Sequence, residues 1–511
     1  MSLTVEGIDP ARRGELALVD ERVRYSWAEL DPVLNRAANA LHGLSYGARR
    51  VAVFAPNSAE TVLAYLAGLE AGVSTSPVSF HLTAGEVAYI LKDSQSSALF
   101  VGPETLEAGL AAAAEVGLAT VIGWRCPPTP GLIAWEDWLA AASDAAPPAD
   151  VPPLPHLHYT SGTTGLPKGT ETPPAFFPPA ATVAEFAELM RARLTPSPGL
   201  AVGPLYHTGP LGLARNLMAG GSLVVMGHFD AETVLATIER EKVAGTVMVP
   251  THFQRLLALP PQVRAKYDVS SMQRLAHTGA ACPADVKRAM IDWFGPVLVE
   301  AYGGTESGSV TMITSEEWLR KPGSVGRALP PFEAVILDDE DRELPPGQAG
   351  RLFFRDVTGR GIIYRNDPDK TAAAHVSPGV FTLGEVGYVD DEGYVFITDR
   401  VSDMIVSGGV NIYPAEAEQV LIAHPGVADV VVVGAPNTEM GEEVKALIVP
   451  RDAAAPPSAD ELSRFCRERL AGFKCPRSYD FVDDVGRNAM GKVNKRALKQ
   501  RYWPTGRTIG G

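Results

Sequence analysis

An eleven-residue stretch rich in glycine and hydroxyl side chains, Tyr159 to Gly169 (YTSGTTGLPKG), most constrains what this chain can fold into. Its three glycines allow a tight turn that presents successive backbone N–H groups to an anion. The hydroxyl groups of Thr160, Ser161, Thr163 and Thr164 add donors, and Lys168 adds a mobile positive charge. The spacing of its glycines and lysine is not that of a Walker A loop. An exposed flexible loop is the alternative, but such a loop does not need a sequence as specific as one that ends in Leu-Pro-Lys-Gly. The stretch therefore predicts a loop that binds a polyphosphate.

Size, charge and cysteine usage narrow the class of protein. A length of 511 residues predicts two or more domains. The formal net charge of −15 argues against nucleic acid or an anionic membrane as a partner, so a nucleotide would need a local basic patch. The four cysteines lie far apart without a CxxC pair, which is typical of a reducing compartment. No signal-like apolar run and no stretch of about 18 apolar residues is present, so we expect a cytoplasmic protein.

Strands and helices alternate along the first part of the chain. Capping boxes at Ser26–Glu29 and Thr83–Glu86 predict helix starts, and short apolar runs such as 50–56 predict buried strands between the helices. This alternation predicts an α/β fold with doubly wound, largely parallel sheets.

The texture of the sequence changes twice after that. Beyond Gly323 the segments become shorter and β-rich, with acidic turns, and from Asp399 the pattern indicates a separate small α+β unit. We therefore predict a large N-terminal domain, residues 1–400, that includes a β-rich subdomain, and a small mobile C-terminal domain, residues 401–511.

Three further motifs follow predicted strands. They are Pro204–Gly209 (PLYHTG), Leu275–Ala281 (LAHTGAA) and Tyr302–Glu306 (YGGTE). Turns that follow the strands of an open α/β sheet meet at its carboxyl edge. The sequence therefore predicts one ligand crevice built from these turns and the phosphate loop.

Five motifs occur in the order found in one family: the phosphate loop, PLYHTG, YGGTE, the segment Phe381–Ile412 and the Asn488–Lys492 loop. From about Ser26 to Leu498 the chain resembles the adenylate-forming superfamily of acyl-CoA synthetases, nonribosomal-peptide adenylation domains and firefly luciferase. Within it, the Ser407–Pro414 segment is most similar to that of acyl- and aryl-CoA ligases. The resemblance implies that a carboxylic acid reacts with ATP to give acyl-AMP and pyrophosphate, and that the CoA thiol then displaces AMP.

The resemblance also implies roles at the nucleotide. Tyr302 would lie against adenine, with core packing as the alternative, and Thr305 would donate to the α-phosphate. Glu306 would hold Mg²⁺ together with Thr164, and Lys492 would bridge the carboxylate and the α-phosphate. The remaining ATP and AMP contacts would come from Thr160, Ser161, Gly162, Thr163, Thr164, Gly165 and Lys168 at the β- and γ-phosphates, Gly279, Ala280, Ala281, Gly303 and Gly304 near the base, and Glu385 and Arg400 at the ribose.

A second group of residues would serve the acyl group and CoA. His207 resembles the family's gate between the acyl pocket and the thiol tunnel. The acyl pocket is expected between His207, residues 247–252 and residues 279–282, where small residues leave room for a bulky hydrophobic acid. In the C-terminal domain, which would rotate about a hinge at Ser402, CoA would contact Gly408, Gly409, Phe473 and Lys474.

The sequence departs from the family pattern at several positions. Glu385 replaces an aspartate that binds the ribose hydroxyls, and the added methylene moves the acceptor by about 1.5 Å. Ser402 replaces Asp or Lys at the hinge, and Gly486 replaces a proline before the catalytic lysine loop, which predicts a more flexible loop. The exit from the phosphate loop, Thr170–Pro174, also differs. These changes affect parts used for ATP binding or adenylation.

The departures leave alternatives open. The first is a ligase-like enzyme, impaired in adenylation, that forms the thioester from a preformed acyl-AMP. The second is an adenylation enzyme that loads a carrier protein in trans, and the third is a non-enzymatic sensor of acids or nucleotides. A homodimer is compatible with each. Retention of both Glu306 and Lys492 argues against the sensor, and we favour a complete acyl-CoA ligase that tolerates the departures.

Overall fold

The computed structural model describes residues 1–44, 49–160, 167–400, 403–407, 410–437, 440–470, 472–488 and 491–503. Its elements alternate as predicted through the first 120 residues. The helices are α1 (Leu3–Glu6), α2 (Trp27–Gly43), α3 (Ala59–Glu70), α4 (Ala84–Ser94), α5 (Leu106–Val116), α6 (Trp135–Ala140), α7 (Val183–Arg193), α8 (Thr208–Gly212), α9 (Ala214–Met218), α10 (Ala231–Glu241), α11 (Pro250–Ala258), α12 (Pro261–Arg264), α13 (Ala284–Phe294), α14 (Ser315–Arg320), α15 (Pro368–Ala373), α16 (Pro414–Ile422), α17 (Ala459–Arg467) and α18 (Lys495–Gln500).

Most of the strands are short, and several end at a motif singled out above. The strands are β1 (Leu16–Val19), β2 (Arg24–Ser26), β3 (Arg50–Phe54), β4 (Ser74–Val78), β5 (Leu99–Val101), β6 (Val121–Gly123), β7 (Ile133–Ala134), β8 (Leu157–Thr160), β9 (Lys168–Glu171), β10 (Gly199–Ala201), β11 (Leu223–Val225), β12 (Gly245–Met248), β13 (Arg274–His277), β14 (Leu298–Gly304), β15 (Gly308–Thr314), β16 (Gly326–Ala328), β17 (Phe332–Leu337), β18 (Gly350–Asp356), β19 (His375–Ser377), β20 (Val380–Phe381), β21 (Glu385–Val389), β22 (Tyr394–Arg400), β23 (Ile405–Ser407), β24 (Val410–Ile412), β25 (Val427–Asn437), β26 (Gly441–Pro450) and β27 (Ser478–Phe481).

The predicted helix starts are confirmed. The Ser26 hydroxyl accepts a hydrogen bond from the Glu29 amide, while the Glu29 carboxylate accepts one from the Ser26 amide, so both sides of the capping box form at α2. At α4 the Thr83 amide and the Thr83 hydroxyl both donate to the Glu86 carboxylate at 2.7 Å, so the carboxylate side of the box forms there without the hydroxyl accepting from the helix. Each box satisfies N–H groups that the first helical turn leaves without intrahelical partners.

The chain divides into two compact units. The first comprises residues 1–278, 289–309 and 362–373, and the second comprises residues 279–288, 310–361 and 374–511. The mixed α/β fold with a large N-terminal and a small C-terminal domain is confirmed. The domain boundary at residue 400 stays a prediction.

The first unit contains the predicted parallel sheets. One has the strand order β4-β3-β5-β6-β7, with every neighbouring pair parallel. The other runs β14-β13-β12-β10-β11-β1-β2 and is parallel except at the β1-β2 pair. Buried apolar side chains such as Trp27, Phe100 and Trp124 fill the core of this unit. Because these strands point the same way, β10, β12, β13 and β14 end at one edge.

The second unit is β-rich, as the sequence predicts, and the structure shows that most of its strand pairs are antiparallel. Its larger sheet has the order β19-β20-β18-β21-β22-β16-β15, and β17 pairs with β18. A smaller sheet, β24-β23-β26-β25 with β27 beside β26, lies in the C-terminal region. Helices α16 and α17 bury Leu421, Leu462 and Cys466 against that sheet. Among the helices of the described ranges, none combines the length and apolar character that crossing a bilayer requires.

A buried carboxylate holds the N-terminal segment in the first unit. Glu70, at the end of α3, accepts hydrogen bonds from the Leu3 amide at 3.2 Å and from the Thr4 amide at 2.8 Å. It also accepts one from the Thr4 hydroxyl at 2.6 Å. Burial raises the pKa of Glu70 to about 7, and the three donors only partly oppose that effect.

This raised pKa predicts a pH-dependent stability. Between pH 4.5 and 7 the folded chain holds a proton on Glu70 that the unfolded chain has lost, so stability falls as pH rises through this window. Relative to Glu70→Gln, the wild type should lose roughly 3 kcal/mol of unfolding free energy across it. The measurement is urea unfolding of both proteins at several pH values. Parallel pH profiles for the two proteins would contradict the prediction.

Candidate active site

The phosphate-loop sequence forms the tip of a β-hairpin. Strands β8 and β9 pair antiparallel, with Thr160 opposite Lys168 at the loop end of the ladder. The predicted phosphate contacts Ser161, Gly162, Thr163, Thr164 and Gly165 lie outside the described residues, as does the side chain of Thr160, and their roles stay predictions. The hairpin fixes where this loop begins and ends.

A distant segment, residues 362–371, lies along this hairpin. The Arg365 amide donates to the Gly169 carbonyl at 2.8 Å, and the Thr170 hydroxyl donates to the Ile363 carbonyl at 3.2 Å. Lys168 forms an ion pair with Asp367, with 2.6 Å between Nζ and Oδ2. This pair raises the pKa of Lys168 and lowers that of Asp367, so both groups stay charged.

The carboxylate of Glu306 is oriented by the same segment. Glu306 lies in the turn between β14 and β15, and its Oε1 accepts a hydrogen bond from the Tyr364 hydroxyl at 2.7 Å. Burial, followed by the negative charge of Glu306, raises the pKa of Tyr364, so the phenol remains a donor. Lys370 lies in the first turn of α15, and its Nζ is 3.9 Å from the centre of the Tyr364 ring.

We call Lys168, Glu306, Tyr364, Asp367 and Lys370 the phosphate-side cluster. Burial lowers the pKa of Lys370, the Glu306 carboxylate opposes that effect, and Lys168 and Asp367 also act on it. The cluster therefore combines two cations, two carboxylates and a phenol that feel one another's charge. Its two lysines are suited to pair with phosphate oxygens beside the hairpin loop, and its carboxylates are suited to hold a cation that accompanies the phosphates.

Glycines make the Glu306 turn possible. A side chain at Gly303 would collide with the Gly308 carbonyl, and Gly308 itself has a φ of +73°. A Cβ at Gly308 would lie 3.2 Å from both Pro173 and Phe176, so the loop exit packs against this turn. Tyr302, Gly303 and Gly304 belong to β14 rather than to the turn, which spans residues 305–307 and includes the predicted phosphate donor Thr305.

His207 occupies the N-cap position of α8, directly after the PLY motif. Its ring lies 4.3 Å from that of Tyr206, centre to centre. A Cβ at Gly209 would face Val247 and Thr278, at the carboxyl ends of β12 and β13. The predicted acyl-pocket residues on this side thus share the edge where these strands end. Within the predicted pocket range 247–252, β12 ends at Met248 and α11 begins at Pro250, so His252 is helical.

The nucleotide residues predicted in the second unit have defined positions. Gly279 has a φ of +89° and precedes Ala280 and Ala281 in an irregular segment. Glu385 is 5% exposed at the start of β21, where its Cα pairs with that of Arg400 on β22. The side chain of Arg400 is not described. The ribose roles of Glu385 and Arg400 stay predictions.

Hydrogen bonds join the two ends of the loop that carries the predicted catalytic residue Lys492. The Asn488 amide donates to the Lys492 carbonyl at 2.9 Å, and the Lys492 amide donates to Asn488 Oδ1 at 2.9 Å. Before the loop, Gly486 has a φ of +72°, and its amide donates to Asp484 Oδ1 at 2.9 Å. Proline cannot adopt this φ and has no amide hydrogen to donate. Glycine in place of the family's proline therefore gives the backbone a different path here, in addition to more flexibility.

The predicted CoA contacts are described only in part. Phe473 is 50% exposed, as a stacking surface would be. Lys474 forms an ion pair with Glu416, at 2.5 Å, so a phosphate would have to replace Glu416 as its partner. The hinge residue Ser402 and the predicted pantetheine contacts Gly408 and Gly409 lie outside the described residues. All these roles stay predictions.

Sequence reasoning missed Tyr364, Asp367 and Lys370. They lie in the run Tyr364–Lys370 (YRNDPDK), whose Asn, Asp and Pro residues read as ordinary turn chemistry. The only pattern that could have indicated a site was a tyrosine close to several charged residues, in a segment without other binding motifs. That signal gives no partner, because Glu306 and Lys168 lie far away in the sequence.

Comparison with known proteins identifies the family. The model described as AMP-binding enzyme matches residues 10–360, and that described as AMP-binding enzyme C-terminal domain matches residues 416–492. The chain belongs to the AMP-binding enzyme family. It is an ATP-dependent, AMP-forming ligase of the acyl-CoA ligase branch, and its substrates are a carboxylic acid, ATP and CoA.

Two curated relatives of this ligase are each 34% identical to it. One is a 3-[(3aS,4S,7aS)-7a-methyl-1,5-dioxo-octahydro-1H-inden-4-yl]propanoyl:CoA ligase of Rhodococcus jostii, aligned over 95% of this chain and 96% of the relative. The other is the fatty acid–[acyl-carrier-protein] ligase ScoC of Streptomyces coeruleorubidus, aligned over 95% and 93%. The crystal structure of ATP-bound MatB from Rhodopseudomonas palustris matches with a TM-score of 0.82 and 31% identity, covering 98% of this chain and 99% of that one.

The hydrogen bond from Tyr364 predicts a positioning role in adenylation. Tyr364→Phe removes the donor that orients Glu306, and misplacing that carboxylate should lower kcat/KM for pyrophosphate release about 10- to 100-fold. Thioester formation from a synthetic acyl-adenylate should change less than about threefold, because pyrophosphate has then already left. The two half-reactions are assayed separately.

Tyr267→Phe is the matched control for this prediction. It removes a similar tyrosine–glutamate hydrogen bond, of 2.8 Å to Glu232, away from the phosphate-side cluster. Equal losses in both half-reactions for Tyr364→Phe, or an equal effect of the control, would show that Tyr364 acts only on folding.

Proposed function

We propose that this ligase activates a bulky hydrophobic carboxylic acid as an acyl-adenylate and transfers the acyl group to CoA. The phosphate-side cluster carries the proposal, because it assembles charges suited to ATP beside the predicted phosphate loop. The absence of side chains at Gly209 and Gly212 supports a roomy acyl pocket. The relative from Rhodococcus jostii, named for an octahydroindenyl propanoyl group, is consistent with a bulky acid.

The first step joins two anions. A carboxylate oxygen attacks the α-phosphorus of ATP, a C–O–P linkage forms, the bond to the β-phosphate oxygen breaks, and pyrophosphate leaves. Lys492 would hold the attacking carboxylate and the α-phosphate together, Thr305 would donate to the α-phosphate, and Lys168 would face the β- and γ-phosphates. Lys168 would exchange its Asp367 partner for phosphate oxygens.

Glu306 fits a magnesium site of the kind that uses one carboxylate and several phosphate oxygens. Its Oε1 accepts from Tyr364, which leaves Oε2 as the oxygen to ligate a hard cation, with Thr164 as a further predicted ligand. When bound, Mg²⁺ would offset the charge of the phosphates. Tyr302, Gly303, Gly304 and residues 279–281 would contact the base, and Glu385 and Arg400 the ribose.

The second step forms the thioester. The CoA thiol loses its proton, sulfur attacks the acyl carbon, the bond to the AMP oxygen breaks, and AMP leaves. His207 would gate the path of the thiol to the acyl carbon. Gly408 and Gly409 would admit pantetheine, and Phe473 and Lys474 would hold the CoA nucleotide. A rotation of the C-terminal domain about Ser402 would exchange the Lys492 face for the face that carries Gly409.

A panel of carboxylic acids assayed with ATP and CoA tests this function, and Lys492→Ala separates its two steps. We expect the variant to lose about 100-fold or more in pyrophosphate release, because Lys492 acts where negative charge develops. Its thioester formation from a synthetic acyl-adenylate should stay within about threefold. Lys499→Ala, which removes the nearby lysine paired with Glu442, is the matched control. No thioester from any acid or its adenylate would refute the proposal.

The departures at the ribose and the lysine loop favour a second candidate, a thioester-forming enzyme with weak adenylation. Glu385→Asp discriminates, since it shortens the carboxylate by one methylene at a buried position. For a complete ligase we expect robust pyrophosphate release from the wild type and at most about a threefold gain in the variant. A gain of about tenfold or more over a weak wild type would establish the second candidate instead.

A third candidate transfers the acyl group to a carrier protein. The relative ScoC is named as an acyl-carrier-protein ligase, which gives this reading specific support. Supplying the adenylated enzyme with either CoA or a phosphopantetheinylated carrier protein, and measuring which thioester forms by mass, decides between the two acceptors.

A further inference from the structure

A buried arginine in the first unit has no counter-ion. Arg215, at the start of α9, is 8% exposed, and it forms no hydrogen bond or ion pair within the residues the structure describes. Burial lowers the pKa of Arg215 to about 10, which is still high enough for the guanidinium to stay charged at neutral pH. A buried charge without a partner costs several kcal/mol. Such a group is therefore suited to a ligand that brings the missing charge.

The guanidinium lies at the end of a strip that has no side chains. Gly209, Gly212 and Arg215 are three residues apart and follow one face of the α8–α9 segment. A Cβ on Gly212 would lie 3.3 Å from Arg215 Nη2, and a Cβ on Gly209 would lie 3.5 Å from Val247. The strip thus leads from the ends of β12 and β13, where the acyl group is proposed to bind, towards the guanidinium.

In the described part of the chain, polar groups lie near Arg215, but no carboxylate forms an ion pair with it or opposes the effect of burial on its pKa. His156 and His158 are buried near it, and burial together with the charge of Arg215 lowers the pKa of both, so they are neutral at physiological pH. The hydroxyl oxygen of Thr208, one turn before Gly212, is buried without a hydrogen-bond partner in the described chain. Neutral groups can accept or donate hydrogen bonds, but they cannot offset a cation.

We propose that Arg215 is the specificity-determining residue for an acid whose far end carries a second carboxylate. This inference rests on the proposed function, in which the reacting carboxylate lies at the adenylate. The hydrophobic body of the acid would lie along Gly209 and Gly212, and its distal carboxylate would pair with the guanidinium.

The experiment compares diacids with their monomethyl esters. A series of α,ω-dicarboxylic acids and the matching monoesters is assayed for pyrophosphate release by the wild type, by Arg215→Met and by Arg215→Lys. The wild type should prefer the best diacid over its monoester at least tenfold in kcat/KM. Arg215→Met should lose about 100-fold on the diacid and stay within about threefold on the monoester, while Arg215→Lys should retain part of the preference.

The monoester also reports on folding, because an unfolded variant would lose activity on both substrates. Arg191→Met, which removes a partly buried arginine bonded to the Leu3 carbonyl, is the matched control and should leave the diacid preference unchanged. Equal losses on diacid and monoester in Arg215→Met, with its melting temperature unchanged, would overturn the proposal. So would a wild-type preference for the monoester or for the ω-keto acid of the same length. Absence of pyrophosphate release from every acid would instead refute the proposed function.

Discussion

The site depends on one backbone hydrogen bond, from the Arg365 amide to the Gly169 carbonyl. It fixes the register of residues 362–371 along the hairpin that ends in the phosphate loop. Because Tyr364, Asp367 and Lys370 follow one another on this segment, that register sets their positions together. The Lys168–Asp367 ion pair and the Tyr364–Glu306 hydrogen bond both require it. The segment thereby joins the hairpin to the turn after β14 and supplies the charges between them.

Local signals explain what could be predicted from the sequence. The capping boxes at Ser26 and Thr83 act within four residues, so they identify α2 and α4 without any tertiary information. Short apolar runs between these helices have few alternatives to buried parallel strands, which is why the first sheet matches its prediction. The short segments and acidic turns beyond Gly323 likewise indicated a β-rich region. The family motifs placed Glu306 in a turn after a strand, and that is where the structure has it.

The missed features have non-local causes. Tyr364 is a functional candidate only because its hydroxyl meets Glu306, and no spacing in the sequence encodes that contact. Arg215 stands in the helical run Ala214–Met218, where an arginine normally points to solvent. Its burial follows from how α9 packs in the first unit, not from its neighbours in sequence. A single sequence therefore does not predict which partners the polar and charged groups of a site contact, or which of these groups are buried.

The backbone at Gly486 has an evolutionary consequence. A change to proline there would meet two obstacles. The proline ring cannot adopt a φ of +72°, and proline has no amide hydrogen to donate to Asp484 Oδ1. The turn would have to be rebuilt before proline became tolerable. A single substitution to proline would therefore disrupt this turn, and at least one further change would be needed to restore the path into the loop that carries Lys492.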